Sequence, residues 1–292
     1  MKRLFSDEFI QAANYLRIVA RQVPTGGRHA EQRSRDLGSG LEFRDFRAYV
    51  PGDDLRRVDW NIYRRSGRLF LRLFEEPEDL PIYLLVDVSD SMFFETPPRA
   101  EQACRMAGLL ALIGLGQLDR VTIYAVGAEL GPAFRPSAGP RGRHAALEYL
   151  ESLRPAGLTN LPTVLRRFSR LPLRRGLAVL ISDFFDPQGP VAVTEALRRV
   201  PHRLLLVQVI RDDDEEPALA GELTLVDCES NAEVEVAATP ATLERYRAAY
   251  REFCTHLLRF AASCQAAHLR LSATRPILAQ MAALFPDQTF MA

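Results

Sequence analysis

The chain has 292 residues, 47% of them apolar, which is enough for one large α/β domain or two smaller ones, since domains run to roughly 100–200 residues. Its 37 basic residues balance its 37 acidic ones, so overall charge gives no reason to expect nucleic-acid binding or attraction to an anionic membrane, and any charge-driven contact must be local. No run of about 18 apolar residues occurs, and "MKRLFSDEFIQAANYLRIVARQV" lacks the unbroken apolar core of a signal peptide, so the expectation is a cytoplasmic protein with no intrinsic membrane span.

Taken in chain order, Phe5, Phe9, Ala13, Leu16 and Ala20 recur at helical spacing and predict an amphipathic helix over residues 5–22, ended by "VPTGG". Residues 28–76 interleave arginine, carboxylate and aromatic side chains. Within them "GLEFRDFRAYV" and "GRLFLRLFEE" partly alternate like strands, and "PGDD" is turn chemistry. From about residue 80 the pattern becomes strand "LPIYLLVDV", helix 98–117, strand "RVTIYAV", helices 143–153 and 161–170, strand "LAVLIS", helix 190–199 and strand "RLLLVQVI". This alternation is the mark of βαβ units around a mostly parallel sheet. A hairpin over "GELTLVDCESNAEVEVA", a long helix from Pro240, a short strand "LRLSA" and a final helix complete the chain.

The predicted architecture is therefore α/β, a doubly wound and mostly parallel sheet, with two parts. Residues 1–79 hold the N-terminal helix and the Arg/Asp-rich segment, expected to pack on the α/β domain of residues 80–292. Cys104, Cys228, Cys254 and Cys264 lie far apart with no Cys-x-x-Cys pair, which fits free thiols in a reducing compartment.

Ligands of doubly wound sheets bind outside the carboxyl ends of strands where strand order reverses. Two strands end there in carboxylates, "LLVDVSDS" and "AVLISDFFD". In the usual order these strands are neighbours, which brings Asp87 and Asp183 together and calls for a cation. Asp87, Ser89 and Ser91 fall on alternate positions, and Thr159 in "AGLTNLP" can present a hydroxyl to the same edge. Two carboxylates and three hydroxyls form an all-oxygen set that suits Mg²⁺ or Mn²⁺ rather than Zn²⁺.

The order Asp87-x-Ser89-x-Ser91, Thr159, Asp183 resembles the metal-ion-dependent adhesion site of von Willebrand factor A domains. The upstream stretch "GRHAEQRSRDLGSGLEFRDFRAYVPGDDLRRVDWNIYRRSGRLFLRLFEE" resembles the signature of the bacterial domain-of-unknown-function family 58, whose members join such a segment to an A-like domain. These resemblances imply that Ser89, Ser91 and Thr159 contact the metal directly, that Asp87 and Asp183 act through water, and that a partner's Asp or Glu takes a remaining position. They also imply a MoxR-type AAA+ ATPase as partner, in remodelling of a client protein or assembly of its metal centre.

Other chemistries fit less well. A phosphatase that starts from a strand-end aspartate needs a second aspartate two residues on, where this chain has Ser89. A two-metal hydrolase, whether phosphoesterase or nuclease, would draw on Asp87, Asp183 and Asp186 and is the alternative reading. There is no Gly-x-Ser-x-Gly elbow and no phosphate loop, and the five histidines are scattered. In "GDDLRRVDW", Asp53, Asp54, Arg56, Asp59 and Trp60 crowd charges beside a large ring, marking either paired buried charges or a partner-binding surface. The run "DDDEE" at 212–216 reads as a solvated loop, with contact to a basic ATPase surface as the alternative.

Overall fold

Phe5, Phe9 and Ala13 are all buried, and residues 7–13 form the first helix, α1. The computed structural model describes residues 4–13, 42–51, 53–55, 58–75, 81–117 and 119–284. The expected continuation of α1 through residue 22 and the side chain of Arg56 lie outside the described residues. Contacts group residues 1–25 with 80–292 and set 26–79 apart as a second unit, so the N-terminal helix belongs with the larger unit and not with the charged segment.

In the smaller unit, β1 (Glu42–Ala48) pairs antiparallel with β2 (Phe70–Glu75), and a short helix, α2 (Trp60–Ser66), lies between them in sequence. Asp59 starts that helix, its carboxylate accepting from Asn61 N at 2.8 Å and Ile62 N at 3.1 Å. Gly67 ends it at φ 64°, a left-handed conformation that glycine adopts without a Cβ clash.

The larger unit is built on β3 (Pro81–Asp87), buried at every position, as an unbroken apolar run must be when both faces of a sheet are covered. The chain continues through a single turn α3 (Ser91–Phe94), α4 (Arg99–Gly116), β4 (Arg120–Val126), α5 (Pro140–Ser152), α6 (Leu161–Ser169) and β5 (Leu177–Ser182). After these come α7 (Gly189–Leu197), β6 (Arg203–Ile210), the hairpin β7 (Gly221–Val226) and β8 (Glu233–Ala238), α8 (Pro240–Ser263), β9 (Ala267–Ser272) and α9 (Ile277–Leu284). Five parallel strands form the central sheet in the order β4-β3-β5-β6-β9, so strand order reverses between β3 and β5. The expected doubly wound sheet, and its switch point, are both present.

Alternate residues of β3 feed two cores. Ile82, Leu84 and Val86 pack with α1, α4, α5 and α9, while Tyr83 and Leu85 pack with α6, α7 and α8. Helix α4 is apolar nearly all round because α1 covers the side that the sheet leaves free. A Cβ on Gly108 would stand 2.5 Å from the Phe5 ring, so glycine permits that close approach.

The acidic run at 212–216 is the exposed loop expected, except that the side chain of Asp214 is only 9% exposed. Each member meets an arginine: Asp212 with Arg275 at 3.4 Å, Asp213 with Arg211 at 3.1 Å, Asp214 with Arg99 at 2.5 Å, Glu215 with Arg251 at 2.9 Å and Glu216 with Arg247 at 2.7 Å. Most of these pairs are exposed and contribute little. Arg99 differs, being 5% exposed, paired through two nitrogens with Asp214, held by Glu95 at 2.9 Å and lying 4.0 Å from Asp183. Burial works against its charge, but Asp214 and the other carboxylates outweigh that and hold it firmly protonated. Arg99→Met should strand these carboxylates and lower unfolding stability by about 3–5 kcal/mol, measured by denaturant titration. By contrast, Arg251→Met should shift stability by less than about 1 kcal/mol.

Candidate metal-binding site

Asp87 ends β3 and fixes the loop that follows. Its Oδ1 accepts from Ser89 N at 3.0 Å and Ser89 Oγ at 2.7 Å, while Ser182 Oγ, from the end of β5, donates to Oδ2 at 2.5 Å. Ser89 Oγ lies 3.2 Å from Ser91 Oγ, at the start of α3. The loop is stitched to residues 156–157: Ala156 N donates to Val88 O at 2.8 Å, Asp90 N to Gly157 O at 3.0 Å, and Gly157 N to Asp90 Oδ1 at 3.0 Å. Gly157 takes φ 78° in that turn. These bonds bring Thr159 to the same edge as Ser91.

Asp183 follows β5 directly, and its Oδ1 accepts from Phe185 N at 3.0 Å. Phe184 between them is fully buried and held at φ 66°, a left-handed conformation that costs a bulky residue about 1–3 kcal/mol and that active and binding sites tend to retain. Asp186 is committed elsewhere, with Oδ2 accepting from Leu161 N and Oδ1 from Gln188 N, both at 2.8 Å.

Asp87 is 1% exposed and Asp183 5%. Burial pushes both carboxyls upward, against the hydrogen bonds that Asp87 accepts. The nearby Asp87 charge adds to the effect on Asp183, carrying it to about 7 despite Arg99. Two buried carboxylates this close cannot both ionise without compensating positive charge. A third carboxylate, Glu229, arrives from the turn between β7 and β8. Its Oε1 accepts from Thr159 Oγ1 at 2.6 Å and its Oε2 from Thr159 N at 2.9 Å. Burial opposes its ionisation, but hydrogen bonds from Thr159 and Ser91 together prevail and hold it below its ordinary value. A cavity of about 470 Å³ opens here, lined by Ser91, Thr159, Asp183, Glu229 and the exposed rings of Phe94 and Phe185.

The sequence placed Asp87, Ser89, Ser91, Thr159 and Asp183 at one sheet edge, and the fold brings all five there. Among the described residues, no three His, Cys, Asp or Glu side chains are arranged to hold a metal by themselves, so any ion here depends on the hydroxyls. Three hydroxyl oxygens beside two buried carboxylates are a chemistry that accommodates Mg²⁺ or Mn²⁺. Sequence reasoning passed over Ser182, Glu229 and Arg99. Ser182 had a signal, because the pairing of Val86 with Ile181 places it beside Asp87, whereas Glu229 and Arg99 reach the site only through tertiary folding.

The residues marked as a partner surface divide by role. Asp59 is buried and caps α2, and Asp53 bonds Arg47 at 2.7 Å and Val50 N at 2.9 Å. Asp54 and Trp60 are exposed, the indole meeting Tyr63 edge-on at 6.0 Å.

Residues 45–255 match the family described as "Protein of unknown function DUF58". The chain belongs to that family. An uncharacterized protein of Mycobacterium tuberculosis strain H37Rv is 27% identical to this DUF58 member over 277 residues, covering 92% of this chain and 86% of its own. Among solved structures, an aerotolerance-related membrane protein of Bacteroides fragilis aligns with 72% of this chain and 98% of its own, at 16% identity and TM-score 0.44. A von Willebrand factor type A protein from Catenulispora acidiphila aligns with 62% of this chain and 43% of its own, at 18% identity and TM-score 0.36. The strand order of this DUF58 member is that of a doubly wound α/β fold, with five parallel strands between two helical layers. Among the described residues, no helix is long and apolar enough to cross a membrane.

The raised Asp183 carboxyl gives a signed pH dependence. Its value of about 7 in the folded chain lies above the 3.8 of an ordinary aspartate, so the folded state holds the proton more tightly. Its stabilising contribution is therefore complete below about pH 4 and lost as pH rises through about 7. In chelator, the unfolding free energy of wild type should fall relative to Asp183→Asn across that window, by a few kcal/mol at most in order of magnitude. Parallel denaturant curves at pH 5 and pH 8 would read the difference.

Proposed function

We propose that this DUF58 member is a metal-dependent protein-interaction module and not an enzyme. Mg²⁺, or Mn²⁺ in its place, is held directly by Ser89, Ser91 and Thr159, with Asp87 and Asp183 acting through water, and it captures an Asp or Glu side chain of a partner. The observation that carries this reading is the meeting of three hydroxyls with two buried, mutually repelling carboxylates at the one point where strand order reverses. Neutral hydroxyl ligands leave the ion enough positive character to attract an anionic group, and the cavity beside them gives that group room.

The wider reading makes the module a cytoplasmic adaptor between a MoxR-type AAA+ ATPase and a client whose fold or metal centre is remodelled. Support for the ATPase comes from the family resemblance. No contribution from nucleic acid is invoked, because the charge balance offers no large basic surface.

One observation favours the alternative of a Mg²⁺- or Mn²⁺-dependent hydrolase using Asp87 and Asp183: a carboxyl near 7 is suitably poised for a general base. Against it stands Asp186, whose two oxygens are both bound to backbone amides and so are not free for a second ion.

Calorimetric titration with Mn²⁺ should show one site in wild type, weakened at least about tenfold in Thr159→Ala and in Asp87→Ala. Equal binding by all three proteins would refute the assigned ligand set. In a pull-down from lysate of the source organism, an AAA+ ATPase should be retained in Mg²⁺ and released in EDTA. Its absence from the bound fraction, or equal retention in EDTA, defeats the adaptor role. Metal-dependent turnover of generic phosphomonoesters or phosphodiesters that disappears in Asp87→Ala would instead favour the hydrolase.

A further inference from the structure

The group that reaches the hydroxyls from outside the five-stranded sheet is itself a carboxylate. Glu229 grips Thr159 with both oxygens, at 2.6 Å to Oγ1 and 2.9 Å to N, and also meets Ser91. This is the chemistry that the site is proposed to accept from a partner, supplied here by the chain's own hairpin.

We propose that Glu229 is a built-in occupant of the partner-carboxylate position, so that the β7–β8 hairpin latches the site closed and an incoming acidic side chain must displace it. The inference rests on the function proposed above and adds its regulation.

The hairpin is constructed for such a role. Its tip is preformed, since Asp227 Oδ1 accepts from Glu229 N at 2.8 Å and Ser230 N at 2.7 Å, and Asn231 takes the left-handed φ of 55° that closes the turn. The backbone that carries Glu229 is thus fixed before the carboxylate reaches Thr159, and little backbone freedom remains to be lost on docking. Its body is weakly held. The two strands form a separate antiparallel pair outside the central sheet and are exposed along most of their length, with Leu225, Val226 and Val234 at 43–58% exposure. Segments with few buried apolar contacts open at low free energy.

The base, by contrast, is anchored. The preceding run 212–216 is held by the buried pair of Asp214 with Arg99, and the following α8 buries Leu257 and Phe260 in the core. A fixed base, a loose body and a carboxylate at the tip make a lever whose charge-assisted hold on the site, through Thr159, is one that a competing carboxylate can replace.

The test is hydrogen exchange of the full chain, wild type against Glu229→Gln, in chelator, read over residues 157–161 and 221–238. Loss of the charge-assisted pair should speed exchange of both segments by about tenfold while β3 and β5 are unchanged. Equal exchange in the two proteins overturns the latch. A second reading uses Mn²⁺ alone as probe. Bound Mn²⁺ should relax water protons more strongly in Glu229→Gln than in wild type, because a position facing Ser91 and Thr159 becomes open to water. Identical relaxation by the two bound ions overturns the placement of Glu229 at that position. If neither protein binds Mn²⁺, the proposed metal-dependent function fails, and the exchange measurement in chelator still decides whether the latch exists.

Discussion

Two carboxylates that the sheet forces out of water govern the rest of this molecule. Asp87 and Asp183 sit at the ends of adjacent strands whose apolar runs are covered on both faces, so the packing that stabilises β3 and β5 also dehydrates the charges that follow them. The fold answers the two unequally. Asp87 receives three hydrogen bonds, from Ser89 N, Ser89 Oγ and Ser182 Oγ, whereas Asp183 receives one from Phe185 N and a distant Arg99 at 4.0 Å. Burial raises both carboxyls, and the neighbouring Asp87 charge helps to carry Asp183 to about 7, so the pair is short of positive charge.

The supporting residues follow from that deficit. Arg99 is itself buried, and Asp214 and Glu95 must neutralise it before it can lend any charge to Asp183. The turn 182–186 assigns each residue a separate task. Ser182 donates to Asp87, Asp183 faces the cavity, Phe184 is locked in the core at positive φ, Phe185 forms the rim, and Asp186 ties the turn to the start of α6 through Leu161 N. This gives a rigid floor with one soft side, the hairpin that carries Glu229.

What the sequence made legible was whatever is written in short-range patterns. Continuous apolar strands and amphipathic helices placed the central sheet and its switch point to within a few residues, because burial on both faces leaves little freedom in residue type. Helix α2 was missed, since none of its residues is buried and no apolar period marks it. The ion pairs of the run at 212–216 were not legible because four of its five arginine partners lie at sequence distances that no local window spans, Arg99 more than a hundred residues before it. Glu229 was missed for the same reason, with seventy residues separating it from Thr159. Asp87 and Asp183 were readable because strand order brings them together, and Ser89, Ser91 and Thr159 because they lie in the loops at that same edge.

The same distinction bears on binding versus turnover. A hydrolytic site needs a base free to move a proton near neutral pH. The carboxylate that accepts from Thr159, Glu229, is held below its ordinary value by the donors around it, which makes it a weak base and a good anion. Asp183 has the suitable value, but one of its oxygens is taken by Phe185 N and the other turns toward Arg99, an arrangement that fixes the group in place. A site whose half-buried carboxylate is stabilised as an anion, and whose buried ones are short of positive charge, has more in common with the proposed carboxylate capture than with the hydrolase alternative.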